Sequence, residues 1–244
     1  MTAAEARPQT ISVIIPAYNE GHSLEKSVII TCDSLRALGI DYEAIIVDDH
    51  STDRTGAIAD ALAARMPQVA AVHHDRNTGV GGAFRTGIGR ATRDFVIFVP
   101  VDNPLETSDL EGYLKHMAVC DIVVGSRAER VGYTPLAALA SFLYNRILVP
   151  LFFNIGISDV NWIQVYRRRL FSDRIIEFKN DRLFFLVEIL VLARRRQLII
   201  AEVPAKMKKR MYGKPTCSRP AMMALTLYDM FRFFRETHKR DNGR

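Results

Sequence analysis

The sequence has few cysteines and begins with no recognisable export signal. Its 244 residues include three cysteines, which lie too far apart in the chain to form a metal-binding or redox motif. A reduced, cytoplasmic setting is therefore expected. The first nine residues are small and polar and lack the apolar core of a secretory signal, so residues 1–9 are predicted to be a disordered N-terminus.

Long hydrophobic runs are also scarce. The most apolar stretch, residues 142–157, is interrupted by Arg146 and Pro150 and is shorter than the roughly 20 apolar residues that a transmembrane helix needs. We therefore expect that this stretch does not cross a bilayer. Apolar residues beside arginines are typical of a segment lying in the membrane interface, and also of an ordinary core helix.

Charged residues are divided unevenly between the two halves of the chain. Residues 1–126 contain 10 lysines and arginines against 17 acids, whereas residues 127–244 contain 23 against 10. The second half is therefore strongly basic. Such a half faces nucleic acid, anionic lipid, a phosphorylated substrate or only solvent, and charge does not choose among them.

Apolar runs without alternation predict central strands of a parallel sheet that is covered on both faces. Such runs occur at residues 11–15, 44–47, 69–74, 95–99 and 122–124, and segments with helical spacing lie between them. Strands that alternate with helices predict an α/β fold with a mostly parallel sheet flanked by helices. Ligands bind such sheets at the carboxyl ends of the strands.

Polar residues at the ends of the first two strands are candidate ligand-binding groups. Asp48 and Asp49 end the second strand. Asn19 and Glu20 follow the first and can hydrogen-bond a base or a ribose, while Tyr18 offers a stacking face. The alternative at each junction is a turn followed by a helix cap. An acid also follows the strand at residues 95–99, and three such junctions predict a nucleotide-type site along one sheet edge.

Two further patterns concern the helices. Ser51 and Asp53 are predicted to be N-caps of a helix at residues 55–66. The glycine-rich stretch at residues 77–83 is not a dinucleotide-binding fingerprint, because Phe84 stands where a required glycine would be. It predicts instead a helix entry that allows close approach of the backbone to a ligand or to the sheet. The arginines of that helix are candidate phosphate contacts or simply exposed.

Four motifs, in their order and spacing, resemble the family 2 glycosyltransferases of GT-A fold, a Rossmann-like architecture. They are residues 16–20, 47–53, 77–79 and 125–127. The resemblance is greatest to polyprenyl-phosphate glycosyltransferases such as the dolichyl-phosphate mannose synthases. It implies inverting transfer of a sugar from a UDP- or GDP-sugar to a polyprenyl phosphate. Transfer to a glycan, another lipid or a protein is the nearer alternative, and a non-catalytic nucleotide-binding protein is the more distant one.

The resemblance implies three sets of site residues. The nucleotide-binding set is Pro16, Tyr18, Glu20, Asp48, Asp49, Asn77 and Gly79. The catalytic set is Asp102, Arg127, Glu188 and Arg210. The acceptor-binding set is Ser126, Arg146, Asp159, Gly213 and Lys214.

Asp102 is also the candidate metal ligand. By resemblance it is the remaining acid of an Asp-Xaa-Asp motif that holds Mg²⁺ or Mn²⁺ on the donor diphosphate, and Pro100 occupies the position of the first acid. Mg²⁺ needs one or two protein carboxylates when phosphates and water fill its other positions. One acid can therefore suffice, and a metal-independent or inactive site is the alternative.

Glu188 and a basic loop complete the candidates. Glu188 is a single acid in an apolar helix predicted at residues 183–193. Burial raises the pKa of a carboxylate, which suits a general base, whereas pairing with one of the arginines at residues 194–196 is the alternative. The loop at residues 206–216 resembles one that closes over donor and acceptor. Its charges, Arg210 among them, can neutralise the leaving diphosphate or attach the loop to anionic lipid.

The predicted organisation is one GT-A domain at residues 10–217, with a nucleotide-binding half at 10–126 and an acceptor-binding half at 127–217. A C-terminal amphipathic interface helix and tail follow at residues 218–244. These features predict peripheral attachment to the anionic inner face of the membrane. No nucleic-acid partner is expected, because the sheet-edge motifs are acidic. Self-association as a homo-oligomer is left open.

Overall fold

The computed structural model describes residues 9–127, 133–205 and 220–241, and within them the backbone forms seven strands. These are β1 (Thr10–Ala17), β2 (Asp41–Asp48), β3 (Val69–His73), β4 (Phe95–Phe98), β5 (Ile122–Arg127), β6 (Gln164–Arg167) and β7 (Ile200–Ala205). Each of the five strands predicted from apolar runs is present. The predicted disordered N-terminus lies outside the described residues, apart from its last residue.

The strands form one sheet in the order β3-β2-β1-β4-β6-β5-β7. Neighbouring strands are parallel except at β6, which runs antiparallel to both β4 and β5. The prediction of a mostly parallel α/β sheet is therefore confirmed. Because β4 and β5 are both antiparallel to β6, they point the same way. The carboxyl ends of β1, β2, β3, β4, β5 and β7 consequently lie at one edge of the sheet, which we call the carboxyl edge.

Helices cover both faces of the sheet. In chain order they are α1 (Leu24–Ala37), α2 (Thr55–Arg65), α3 (Gly79–Arg90), α4 (Thr107–Met117), α5 (Pro135–Leu143), α6 (Val149–Phe153), α7 (Arg169–Ser172), α8 (Phe185–Arg195) and α9 (Pro220–Asp241). One core contains residues of α1, α2 and α4, and the other contains residues of α3 and α8. Val13 and Ile15 face the first core and Ile14 the second. Burial on both faces explains why β1 is apolar without alternation.

One long helix corrects the expectation for the apolar stretch. α5, a π-helical turn at Tyr144–Leu148 and α6 join into a 19-residue helix, Pro135–Phe153, which we call the α5–α6 helix. By length and composition alone it is long enough to cross a membrane, so the length argument from the sequence was wrong, and the expectation that the helix does not cross stays a prediction. Pro150 does not end the helix, because the wider π-helical turn directly before it accommodates the proline ring.

The α5–α6 helix is not an ordinary core helix, because 11% of its most apolar window is buried. Its exposed apolar side chains are Leu136, Leu139, Phe142, Leu143, Ile147 and Leu151. The opposite side is joined to the rest of the domain by the buried Asn145. Its side chain donates to the Ser141 carbonyl at 2.8 Å and accepts from the Val160 amide at 3.0 Å. The helix is therefore anchored along one side and apolar towards solvent on the other.

The C-terminal helix α9 packs against the α5–α6 helix. The rings of Phe231 and Phe234 lie 5.2 and 4.9 Å from the ring of Phe152, and Met230 is fully buried. The predicted amphipathic helix is thus confirmed, with much of its apolar side turned towards the domain. A buried acid on α9, Asp229, receives hydrogen bonds from the Arg182 guanidinium at 2.7 and 2.8 Å.

Candidate active site

The loops that follow β1 and β2 are joined to each other at the carboxyl edge. Asn19 and His50 adopt left-handed backbone conformations that turn the chain sharply after each strand. Five hydrogen bonds then connect the loops or fix their ends. They are Asn19 N to Ser51 Oγ (2.9 Å), Thr52 N to Asn19 Oδ1 (2.8 Å), Glu20 N to Thr55 Oγ1 (2.8 Å), Gly21 N to Asp53 Oδ2 (3.1 Å) and Thr55 N to Asp53 Oδ1 (2.9 Å). The two loops therefore form one rigid unit.

This network bears on two expectations. Asn19 was a candidate for binding a base or ribose; its amide oxygen accepts from Thr52, and a ligand contact by Asn19 stays a prediction. Ser51 was a predicted N-cap of α2, but its hydroxyl accepts from the other loop. The structure assigns the N-cap position of α2 to Arg54, which makes no side-chain cap, and Asp53 instead accepts from the first helical amide. The polar residues of these motifs thus build the loops.

The predicted nucleoside-binding residues Pro16, Tyr18 and Glu20 all lie on the first of the joined loops or at the end of β1. Tyr18 has 49% of its surface exposed, so its ring is accessible for stacking at the carboxyl edge. Pro16 and Glu20 are half-buried beside it. The structure therefore brings this group together, and an aromatic face is presented on a rigid support.

Asp48 and Asp49 are both buried, and the carboxylate of each lies beside a histidine at the end of the neighbouring strand. In the parallel register of β2 and β3, Asp48 lies opposite His73. The Asp48 carboxylate is 3.2 Å from His73 Nδ1, and that of Asp49 is 2.8 Å from His74 Nδ1. The other His73 nitrogen is 2.9 Å from Asp60. Hydrogen bonds to Asp60 and Asp48 raise the pKa of His73 above its usual value.

Asp49 also holds the N-terminus of α3. Its carboxylate accepts from Thr78 N at 2.8 Å, Thr78 Oγ1 at 2.9 Å and Gly79 N at 2.8 Å. Asn77 donates to the Asp49 carbonyl at 3.2 Å. A negative charge at a helix N-terminus is stabilising, because it meets unpaired amides and the positive end of the helix dipole. The predicted nucleotide residues Asn77 and Gly79 are thus fixed to Asp49, and a base contact by either acid stays a prediction.

The glycines at the start of α3 allow another segment of the protein backbone to pack closely against this helix. Gly79 has φ +79°, and a Cβ at Gly79 or Gly81 would collide with the backbone of a loop at residues 179–182, which we call the 179–182 loop. The Gly81 amide donates to the Asp181 carbonyl at 2.8 Å. Arg85 forms an ion pair with Asp181, so this arginine, a candidate for phosphate, already has a carboxylate partner. The close approach that the glycines predict is therefore to protein.

Glu188 lies beneath the 179–182 loop and supports it. Its two carboxylate oxygens accept from the backbone amides of Lys179 and Asn180 at 3.0 and 2.8 Å. Pairing with residues 194–196, the alternative role, is therefore not what the structure shows. Burial raises the pKa of Glu188 above its usual value, although the two amides oppose that shift. These contacts give Glu188 a loop-supporting role.

Asp102 is the acid of the turn that follows β4. The turn is closed by a hydrogen bond of 3.1 Å from the Asn103 amide to the Pro100 carbonyl, and Asp102 is half-buried in it. Among the described residues, no group of three or more histidines, cysteines or acids is arranged to hold a metal ion. Asp102 thus fits a cation that is held mainly by the phosphates of a ligand, and not a site built by protein alone.

Arg127 and Asp159 form one buried unit. The guanidinium donates to the two Asp159 oxygens at 2.6 and 2.8 Å, and it also stacks 4.4 Å from the ring centre of Trp162. The Arg127 side chain is 5% exposed. The prediction gave the two residues separate catalytic and acceptor-binding roles, but their charges neutralise each other. They hold the segment before β6 against the end of β5.

The remaining acceptor candidates are dispersed. Ser126 Oγ lies 2.7 Å from Ser158 Oγ, and Ser158 in turn contacts the Glu202 carboxylate. Arg146 is exposed on the π-helical turn of the α5–α6 helix. Arg210, Gly213 and Lys214 lie outside the described residues. Ala205, which ends β7, pairs with Arg127 in the sheet register, so the chain enters that basic segment from the carboxyl edge.

Sequence reasoning missed two groups that shape the site. His73 and His74 stand at the end of β3 as the two acids stand at the end of β2, and matching the ends of these parallel strands would have paired them. Asp229 on α9 is the second. A lone acid in an apolar helical pattern was its signal, because such an acid is buried only with a partner, here Arg182.

Comparison with known proteins supports the resemblance. The family model described as glycosyl transferase family 2 matches residues 12–175. Glycosyltransferase AglD from Haloferax volcanii is 30% identical over 210 residues, covering 83% of this chain and 34% of that protein. Dolichyl-phosphate beta-glucosyltransferase ALG5C from Trichomonas vaginalis is 27% identical, covering 91% of this chain and 71% of that protein. The chain thus spans about a third of the AglD relative.

Solved structures agree on the architecture. Glucosyl-3-phosphoglycerate synthase from Mycobacterium tuberculosis, crystallised with Mn²⁺, UDP and phosphoglyceric acid, aligns with a TM-score of 0.69. It is 19% identical, and the alignment covers 93% of this chain and 78% of the synthase. The fold is therefore GT-A, as predicted. With the family model matching about two thirds of its length, the chain belongs to glycosyltransferase family 2.

Proposed function

We propose that this protein is an inverting glycosyltransferase that moves a sugar from a UDP- or GDP-sugar to a polyprenyl phosphate at the membrane surface. The observation that carries this proposal is the carboxyl edge, where two joined loops present Tyr18 and the turn after β4 presents Asp102. A relative that shares most of this chain is named a dolichyl-phosphate glucosyltransferase, which supports a lipid phosphate as acceptor.

On the donor side, Tyr18 stacks on the base, and Pro16 and Glu20 line the nucleoside pocket. The β3–α3 junction at Asn77 and Gly79, held by Asp49, forms its wall. Asp102 would hold Mg²⁺ or Mn²⁺, which supplies positive charge to the diphosphate when bound. Such a cation relies on donor phosphates for most of its ligands, because no group of three or more histidines, cysteines or acids is arranged for a metal among the described residues.

On the acceptor side, the reacting group is a phosphate that is already ionised at neutral pH. It needs no general base, and so Glu188 acts by supporting the 179–182 loop and not by taking a proton. Ser126, Asp159 and Arg146 lie on the acceptor half. Asp159 contributes by holding Arg127, and Arg146 by attracting an anionic headgroup from its exposed position. Arg210 and Lys214, on either side of Gly213, stabilise the charge that grows on the leaving diphosphate.

The decisive experiment measures sugar transfer. Purified protein is incubated with UDP-glucose or GDP-mannose, undecaprenyl or dolichyl phosphate, and Mg²⁺ or Mn²⁺, and the glycolipid product is quantified. Asp102→Ala should abolish transfer without lowering the melting temperature, whereas Glu111→Ala, which removes an exposed acid from α4, should leave the rate unchanged. Unchanged turnover in Asp102→Ala would refute its role. Full activity in excess chelator would show that no metal is required.

Membrane attachment is proposed through the exposed side of the α5–α6 helix together with the basic charge of the second half. Because Asn145 and Val149 are buried on the other side, the helix is oriented to lie in the membrane interface with its exposed side towards the lipid. Leu139→Ser with Phe142→Ser should reduce binding to anionic vesicles. Val119→Ser removes an even more exposed apolar side chain elsewhere and should have no effect. Phe152 and Phe153 suit this test less, because their rings pack against α9.

A second function is favoured by one observation. Pro100 occupies the position of an acid, and Asp102 belongs to no group of three or more histidines, cysteines or acids among the described residues. A non-catalytic nucleotide-binding protein would have these features. Isothermal titration separates the two: a binder retains affinity for UDP or GDP and shows no product with any acceptor, whereas the enzyme forms glycolipid.

A further inference from the structure

Three polar side chains are linked near the carboxyl ends of β5 and β7. Ser126 lies one residue before the end of β5, and Glu202 lies on β7 beside Val124 in the parallel register. Between them, Ser158 comes from the segment that joins α6 to β6. Its hydroxyl oxygen is 2.7 Å from Ser126 Oγ, and it also contacts the Glu202 carboxylate. The three side chains therefore form one continuous series of hydrogen bonds, which we call the Ser126 network.

The chemistry of these groups fixes the direction of the hydrogen bonds. A carboxylate only accepts, so the single hydroxyl hydrogen of Ser158 is donated to Glu202. Ser158 Oγ then accepts from Ser126, whose own hydrogen is used in that bond. The Ser158 amide also donates to the two Glu202 oxygens, at 3.0 and 3.2 Å, and this holds Ser158 in place. The Ser126 oxygen is therefore left as a hydrogen-bond acceptor.

The Ser126 oxygen lies where a ligand can reach it. Val124 belongs to the core that contains α3 and α8, so the alternation of side chains along β5 places Ser126 on the same face of the sheet. Ser126 is only half-buried, and Pro204, its partner in the register of β7, is exposed. This face of the sheet is thus open beside the end of β5.

The distance from Asp102 indicates which part of a ligand Ser126 meets. Only β6 lies between β4 and β5, so the ends of these two strands are about 10 Å apart, which is two strand spacings. Asp102 follows β4, and the proposed function places the donor diphosphate there. A sugar attached to that diphosphate can extend towards β5. The hydroxyl groups of a sugar are hydrogen-bond donors, and the Ser126 oxygen accepts.

We propose that Ser126 accepts a hydrogen bond from a hydroxyl of the transferred sugar, and that Ser158 and Glu202 are positioning residues that keep Ser126 in this accepting state. The inference rests on the proposed function for the place of the donor. A fully ionised phosphate fits poorly, because it has only acceptor oxygens and because the negative charge of Glu202 lies behind the network. Ser126 therefore recognises the donor sugar and not the phosphate of the lipid acceptor.

The test is calorimetric titration without a lipid acceptor. UDP-glucose is compared with UDP, and GDP-mannose with GDP, so that each difference in affinity gives the contribution of the sugar. Ser126→Ala should lower this contribution about five- to tenfold, the scale of one hydrogen bond, and leave the affinity for UDP or GDP unchanged. Ser172→Ala is the matched control and should change neither. Ser172 also donates to an acid, Asp173, at 2.8 Å, but on α7 at the opposite edge of the sheet.

Donor analogues that each lack one hydroxyl of the sugar identify the contact. In the unchanged protein, one analogue should bind about five- to tenfold more weakly than the complete donor. In Ser126→Ala, that analogue and the complete donor should bind equally, because the partner of the missing hydroxyl is gone. A loss in Ser126→Ala that is the same for the complete donor and for every analogue would overturn the proposal.

The positioning residues are tested by conservative variants. Ser158→Ala removes the group that receives the Ser126 hydrogen, so it should lower the contribution of the sugar, whereas Ser158→Thr keeps a hydroxyl and should restore it. Melting temperatures show whether each variant is folded. Equal sugar contributions in two folded Ser158 variants would contradict a role for the network. If Ser158→Ala does not fold, Ser158→Thr and Ser126→Ala still test the proposal, because neither removes the hydroxyl that contacts Glu202.

Failure of this inference and failure of the proposed function give different results. If nucleotide sugars bind and Ser126→Ala leaves the contribution of the sugar unchanged, the role of Ser126 is wrong and the proposed transferase still stands. A raised KM for polyprenyl phosphate in Ser126→Ala, with the sugar contribution unchanged, would assign Ser126 to the lipid acceptor instead. No binding of either nucleotide sugar by the unchanged protein would overturn both proposals.

Discussion

Replacing Asp49 should loosen the nucleotide side of the sheet. In Asp49→Ala, the amide of Thr78 loses its acceptor. The amide of Gly79 keeps only the Asn77 side-chain oxygen at 3.2 Å, and the ring of His74 keeps only the Thr78 hydroxyl at 2.9 Å on that nitrogen. Each unpaired buried donor costs about 1–3 kcal/mol, and these amides are half-buried, so the lower end applies. Together with the lost charge at the helix N-terminus, the free energy of unfolding should fall by about 3 kcal/mol.

The measurement is urea unfolding, followed by the fluorescence of the single tryptophan, Trp162, and by circular dichroism. Asp49→Asn keeps one carbonyl acceptor and should lose about 1–2 kcal/mol. Asp33→Ala is the matched control, because it removes an exposed acid paired with Arg36, and it should cost at most about 0.5 kcal/mol. If Asp49→Ala lies within 0.5 kcal/mol of the original protein, Asp49 does not hold α3 as described. Titration with UDP or GDP at a temperature where both are folded should show weaker binding in Asp49→Ala.

Three other predictions concern titration and catalysis. Burial raises the pKa of Glu188 in the folded state, so the folded protein binds more protons than the unfolded protein does. The free energy of unfolding therefore falls as pH rises from the unfolded-state pKa through the folded-state pKa. In Glu188→Gln the melting temperature should change less with pH over that window, and an unchanged slope would contradict this. Asp60 and Asp48 raise the pKa of His73, so the stabilisation from its protonated ring is complete below the unfolded-state pKa and is lost as pH rises through the folded-state pKa. His73→Asn should remove this loss of stability, which melting temperatures measured from acidic to mildly alkaline pH would detect. Arg210→Ala should lower kcat by roughly 100-fold with little change in donor affinity, and Arg210→Lys should recover only part of the rate. Weaker vesicle binding of Arg210→Ala with kcat unchanged would instead make the loop at residues 206–216 a membrane anchor.

The sequence was sufficient for features that depend on local pattern. Apolar runs located β1, β2 and β4, and the polar residues after them did meet at one edge, because parallel strands align their carboxyl ends. The partners of those polar residues were not predictable in the same way. Asn19 and Ser51 are separated by 32 positions, and nothing local distinguishes a residue that binds a neighbouring loop from one that binds a ligand.

Long-range approach and helix irregularity explain the other differences. Gly79 and Gly81 signal a crowded backbone, but the crowding segment lies about 100 residues later, at Asn180 and Asp181. Pro150 signals a helix break, but the π-helical turn before it keeps the helix continuous. The sequence indicated correctly that these positions are unusual. Which segment makes them unusual depends on the assembled fold.

The ion pair between Arg182 and Asp229 makes α9 inseparable from the nucleotide side of the molecule. Burial would raise the pKa of Asp229, but hydrogen bonds from Arg182 and Asn180 lower it, so the acid stays charged inside the protein. Deleting α9 would therefore not remove a membrane anchor alone. It would leave Arg182 without its counter-charge and uncover the 179–182 loop that rests on α3, so a shortened chain that binds vesicles poorly would be expected to bind nucleotide poorly as well.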